Sequence, residues 1–105
     1  EAEADGIWTQ LIFTLVNILA TLWQSGDFQF LDHECHYRIK PTFRRLKWKY
    51  KGKFWCPSWT SITGRATKSS RSGAVEHSVR NFVGPAKSSG LITERQAEQF
   101  ISQYN

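Results

Sequence analysis

The spacing of apolar positions changes twice along this chain. From Ile7 to Trp23 no residue is charged, and Trp8, Leu11, Ile12, Leu15, Leu19, Leu22 and Trp23 recur every three or four positions. That is the period of a helix burying one stripe. Asp5 is placed to cap its start and Gly26 to stop it. A membrane span needs roughly 20 predominantly apolar residues, whereas this stretch is about 17 long and is interrupted by Gln10, Asn17 and three threonines. The reading is therefore an amphipathic core helix.

From Asp27 the period becomes two. Phe28, Phe30 and Asp32 oppose Gln29, Leu31 and His33 in a first strand, and Cys35–Lys40 alternates cleanly as a second. Pro41-Thr42 interrupts the pattern. Arg45–Lys53 alternates again as a third strand, and Ser58–Gly64 is a weaker fourth. Arg65–Gly73 is polar, basic and rich in Ser and Thr, and reads as a loop.

Helical spacing returns with Val75, Val79, Phe82, Val83 and Ala86, a stripe ending by Gly90, with a kink or early stop at Gly84-Pro85. Thr93-Glu94-Arg95-Gln96 fits a capping box, with Ile92 and Ala97 in staple positions and Phe100, Ile101 and Tyr104 on one face of the helix that follows. The order α-β-β-β-β-α-α predicts an α+β domain in which three helices pack on a four-stranded antiparallel sheet. At 105 residues the chain makes one domain. Its first four residues, Glu1-Ala2-Glu3-Ala4, read as a processing remnant of a yeast secretion leader, which leaves 5–105 as the domain.

Charge sharpens the picture. Of the 14 Lys and Arg, eleven fall between Cys35 and Val75, a stretch without a single Asp or Glu; the rest of the chain holds all nine acids. A positive field on a mildly acidic body draws anions whatever the fold. Two cysteines fit one disulfide in an oxidising compartment. A Cys35–Cys56 bridge would staple the second and third strands into a hairpin, a closure of about 22 residues worth roughly 3 kcal/mol. If the cysteines lie directly across, paired positions sum to 91 and the tip is Arg45-Leu46; if Pro41–Arg44 is the turn, they sum to 85. Both sums are odd, so in either register Arg38 and Lys40 share a face with Lys47, Lys49, Lys51 and Lys53. Tyr37, Ile39, Leu46, Trp48 and Tyr50 take the other face.

From His36 to Lys53 there are eight cations and no acid. Like charges opposite one another destabilise a sheet, and a bound polyanion would relieve them. A surface both cationic and locally apolar suits an anionic, greasy partner. A nucleic-acid-binding domain is the rival reading, because basic strands with aromatics also track phosphates and stack bases. His33-Glu34-Cys35-His36 with Cys56 suggests zinc, but lacks paired CxxC spacing or a helical HExxH, and alternation sends His36 away from Cys35. Solvent-facing histidines and a disulfide explain these residues, so no metal or other cofactor is expected. His77 reads as a surface or core-edge residue. With no nucleophile elbow, phosphate-cradling glycine loop or paired-carboxylate arrangement, no enzyme is predicted.

The segment His33-Glu34-Cys35-His36-Tyr37-Arg38 through Lys53-Phe54-Trp55-Cys56 resembles the disulfide-bounded loop of the anti-lipopolysaccharide factors of horseshoe crabs and crustaceans, and the likeness extends over Asp5–Asn105. The resemblance implies a secreted blood-cell defence protein that binds bacterial endotoxin, damps endotoxin-triggered clotting and acts against Gram-negative bacteria. It implies three helices on a four-stranded sheet. It also implies that Arg38, Lys40, Arg44, Arg45, Lys47, Lys49, Lys51 and Lys53 meet the phosphates of lipid A at the anionic outer-membrane surface. Phe43, Leu46, Trp48 and Tyr50 are candidates for acyl chains or sugar faces, some of which must instead pack inward.

Overall fold

A computed structural model describes residues 2–22 and 24–104, with side chains described from Gly6 onward. Its elements are α1 (Ala2–Thr21), β1 (Ser25–Phe30), β2 (His33–Arg44), β3 (Lys47–Trp55), β4 (Thr63–Lys68), α2 (Arg71–Ser88) and α3 (Glu94–Tyr104). The strands form one antiparallel sheet in sequence order. Three helices and four antiparallel strands are the architecture the periodicity predicts, and one disulfide is what the two cysteines predict.

All three helices lie on one face of this sheet. Leu11, Leu15 and Leu19 of α1, Val79 and Phe82 of α2, and Phe100 of α3 are buried with Phe30, Tyr37 and Phe54 from the strands. Burial raises the pKa of the Tyr37 phenol, and the Arg71 guanidinium partly opposes that rise. The close seat of α2 requires two strand glycines: a Cβ on Gly64 would overlap the Ser78 carbonyl oxygen and come within 2.7 Å of the Phe82 nitrogen, and one on Gly52 would strike the Ser78 hydroxyl. Asn81 adds a hydrogen bond from Nδ2 to the Arg65 carbonyl, 2.6 Å. The sheet is thus backed by packed helices on one side and open on the other.

Several boundaries differ from the sequence reading. α1 already includes 2–5, so Asp5 lies inside the helix rather than before it, and Gly26 sits in β1 opposite Tyr37 instead of stopping the helix. Trp23 lies outside the described residues. β1 ends at Phe30, because Leu31 and Asp32 take positive φ (53° and 67°) and form the two-residue turn into β2. Pro41 does not interrupt β2; it pairs with Tyr50. A two-residue hairpin makes its flanking pair, Arg44 and Lys47, hydrogen-bonded, which by alternation leaves Pro41–Tyr50 a non-hydrogen-bonded pair. The missing N–H of Pro41 therefore points to the open side, where β1 has already ended at Ser25–Arg38.

The fourth strand is Thr63–Lys68, not Ser58–Gly64. After Cys56 the chain turns, with Trp59 and Thr60 N–H groups both donating to the Cys56 carbonyl, and the predicted loop at Arg65–Gly73 contributes most of a strand and the start of a helix. Ser70 caps that helix, accepting from the Gly73 N–H at 3.1 Å. α2 continues through Gly84-Pro85 because Pro85 falls in its last turn, where it costs one bond and no core contact. The capping box before α3 forms as read: Thr93 Oγ1 accepts from the Gln96 N–H at 3.2 Å and Gln96 Oε1 from the Thr93 N–H at 2.9 Å.

Candidate functional site

Cys35 and Cys56 are bonded, and both are fully buried. Beyond them β2 and β3 pair as His36–Trp55, Arg38–Lys53, Lys40–Lys51 and so on to Arg44–Lys47, the register whose positions sum to 91. The tip is Arg45-Leu46. β1 covers β2 only as far as Arg38, and β4 covers β3 only as far as Tyr50. The outer part of the hairpin is therefore a two-stranded finger projecting from a molecule measuring 45 × 30 × 26 Å.

Alternation divides the finger into two sides. Arg38, Lys40, Arg44, Lys47, Lys49, Lys51 and Lys53 share the open face of the sheet, while Tyr37, Ile39, Gly52 and Phe54 are buried on the other. Arg45 reaches the outer end of the open face from outside the strands. It stands in the turn, outside the strand in which the sequence placed it, and is the eighth cation of the finger. Arg38–Lys53, Lys40–Lys51 and Arg44–Lys47 are like charges directly opposite one another. Among the described residues no carboxylate pairs with any of the eight; the ion pairs are His36–Asp27 at 2.6 Å and Arg80–Glu76 at 2.9 Å. Lys53 is held instead over the Trp55 ring, 4.3 Å from its centroid.

Sequence reasoning missed β4's contribution. Arg65 lies opposite Lys53 and Thr67 opposite Lys51, both on the open face. A depression of about 450 Å³ is lined by Arg38, Lys40, Lys51, Gly52, Lys53, Arg65, Ala66 and Thr67. A second, of about 830 Å³, is lined by Thr42, Arg44, Arg45, Lys47, Lys49, Lys51 and Thr67. They share Lys51 and Thr67, so the cationic face is one trough rather than a flat row of charges. The period-two order Thr63, Arg65, Thr67 against Gly64, Ala66 was the available signal, hidden by its small and hydroxylated residues.

The four apolar candidates separate. Phe43, Leu46 and Trp48 are 54%, 87% and 61% exposed at the tip, whereas Tyr50 is half-buried against the core. Phe43 and Trp48 are cross-strand partners with ring centroids 5.0 Å apart. They lie on the side away from the lysines, past the end of the helical layer. The histidines are less open than the sequence suggests: His33 stacks on Trp59 at 4.4 Å, and His36, on the face opposite Cys35, meets Asp27. His77 is half-buried on α2. Among the described residues no helix is long and apolar enough to cross a membrane.

Comparison with known proteins converges on one family. The family described as anti-lipopolysaccharide factor/scygonadin matches residues 3–102. An anti-lipopolysaccharide factor of Limulus polyphemus is 96% identical over 101 residues, which are 96% of this chain and all of that one. The Tachypleus tridentatus factor is 83% identical over 99 residues, 94% of this chain and 97% of its own. The solution structure of an antilipopolysaccharide factor from shrimp, described with its possible lipid A binding site, superposes with a TM-score of 0.76 at 35% identity, covering 90% of this chain and 93% of that one.

Proposed function

The chain belongs to the anti-lipopolysaccharide factor/scygonadin family, and from that premise we propose that it binds and neutralises bacterial lipopolysaccharide by gripping lipid A with the stapled finger. The observation that carries this reading is the division of the finger into an open face of cations without carboxylate partners among the described residues and a tip with three exposed apolar side chains.

Arg38, Lys40, Arg44, Arg45, Lys47, Lys49, Lys51 and Lys53 are assigned to the phosphates. Arg offers two parallel hydrogen bonds and Lys a point charge. Phe43, Leu46 and Trp48 are assigned to acyl chains or sugar faces, and Tyr50 to the root of the finger. No single cation suffices, since an exposed ion pair contributes about 0.2–1 kcal/mol. Near an anionic membrane each Lys or Arg adds about 1 kcal/mol. Apolar burial at about 25 cal/mol per Å² supplies the remainder, so micromolar or tighter binding is collective. In a bacterial outer membrane the same cations would displace divalent ions that bridge neighbouring phosphates. Secretion from blood cells, activity against Gram-negative bacteria and inhibition of endotoxin-triggered clotting complete the proposal.

Calorimetric titration of lipid A, its deacylated backbone and a nucleic acid, each at two ionic strengths, tests it. Lipid A should bind tightly at both, and deacylation should weaken binding at fixed salt. Nucleic acid should bind weakly and fall steeply with salt. Equal affinity for lipid A and its deacylated backbone would sink the reading, and a tighter, salt-steep nucleic-acid complex would replace it. The triple variant Lys47→Ala, Lys49→Ala, Lys51→Ala should lose about 2–3 kcal/mol, or roughly 30- to 150-fold, in lipid A affinity while its circular dichroism is unchanged.

A further inference from the structure

Asp27, Glu34 and His36 meet on the open face of the sheet, at the β1–β2 edge and away from the finger. Register explains the meeting: Asp27 is directly opposite His36, and Glu34 precedes His36 by two residues on the same strand and so shares its face. His36 Nδ1 and Asp27 Oδ1 are 2.6 Å apart, and one ligand-capable atom from each of the three residues lies within 4.8 Å of the other two. The backbone beneath them is pinned, because Cys35, between Glu34 and His36, is buried in the disulfide. The His36 ring also rests against Trp55, with centroids 5.4 Å apart.

We propose that Asp27, Glu34 and His36 form a Zn²⁺ site. An imidazole nitrogen beside two carboxylate oxygens suits zinc, whereas Mg²⁺ and Ca²⁺ take oxygen ligands. Bonds of about 2.0–2.2 Å in a tetrahedron put ligand atoms about 3.3–3.6 Å from one another. Binding would open the 2.6 Å His36–Asp27 contact and draw the third atom in from a spread of 4.8 Å, which the exposure of Asp27 and Glu34 permits. Three protein ligands leave the fourth position to water or an anionic oxygen. Arg38, two residues beyond His36 on the same face, places the ion at the border of the cationic trough rather than inside it. This site differs from the one the cysteines suggest in the sequence, since both sulfurs are committed to the disulfide and Asp27 comes from another strand.

The test contains no glycolipid and so stands apart from the lipopolysaccharide reading. The full chain is titrated with ZnCl₂ in a non-chelating buffer at neutral pH by calorimetry, with the histidine ring resonances followed by NMR. The expected result is one saturable ion per chain, a shift of the His36 ring ahead of His33 and His77, no competition from excess Mg²⁺, and a rise in melting temperature with added zinc. Loss of even an outer-shell partner weakens metal binding about 10- to 100-fold, so His36→Gln and Asp27→Asn should each lose at least about tenfold while His33→Gln loses nothing. The Glu34 side chain makes no hydrogen bond to another described residue, so Glu34→Gln leaves the Asp27–His36 contact intact and isolates metal ligation from folding. Unchanged zinc affinity in that variant overturns the three-ligand assignment. Absence of saturable binding below millimolar zinc overturns the site altogether.

Discussion

Leu46 and Arg45 occupy left-handed backbone, with φ of 64° and 52°, positions where a hairpin turn ordinarily carries Asn and Gly. Each costs roughly 1–2 kcal/mol in that conformation relative to a residue free of a Cβ. The tip keeps at that cost a cation and the most exposed large apolar side chain among the described residues. Leu46→Gly should therefore raise stability by up to about 1 kcal/mol, after the entropy glycine loses on folding, while weakening binding to acylated lipid A more than to its deacylated backbone. Thermal unfolding and calorimetry on the same sample check both signs. A loss of stability would show that the Leu46 side chain supports the turn.

The cross-strand repulsion is a property of the element, since Lys40 faces Lys51 only because β2 and β3 pair as they do. Lys51→Glu should turn that repulsion into an attraction, stabilising the hairpin by about 0.2–1 kcal/mol and lowering lipid A affinity; a destabilised hairpin would contradict the account. Existence and order of the elements were legible in the sequence because burial imposes its period on them, as in Leu11, Leu15 and Leu19 or Val75, Val79 and Phe82. Boundaries were harder to read where a tertiary contact overrode the local signal. Pro41 is tolerated only because β1 stops short of it, and Thr63–Lys68 becomes a strand because Gly64 lets α2 approach. The cationic face survived the uncertainty over register because both alternatives kept the same parity. The Asp27–Glu34–His36 cluster did not, because it depends on how β1 pairs, which no local pattern announces.

At the scale of the molecule, the helices back the sheet only up to the root of the finger. From Pro41 outward every residue to Trp48 except Thr42 is exposed, so the body does not depend on the tip for its core. Replacing 43–48 with Asn-Gly between Thr42 and Lys49, a hydrogen-bonded pair by the same alternation, should leave the dichroism spectrum nearly unchanged and the melting temperature within a few degrees, about 1 kcal/mol for a domain of this size. Lipid A affinity should fall with it, and retained affinity would move the site to the trough around Arg38 and Arg65. Charge also acts at this range. Encounter with anionic vesicles should slow as ionic strength rises and the Debye length falls toward about 8 Å at 0.15 M, which stopped-flow Trp48 fluorescence would follow.

A ribbon with ammonium groups on one side and aromatic rings on the other has no way to lie flat on a bilayer and satisfy both. Resting on its lysines, it would turn Phe43 and Trp48 back toward water; resting on its rings, it would lift the lysines off the headgroups. Standing upright removes the conflict: the apex goes in first, long cationic stems bend back to the headgroup layer, and a lipid tail lies along the far side. Depth-dependent quenching should then find Trp48 below the plane of the phosphates and Trp55, near the disulfide, above it.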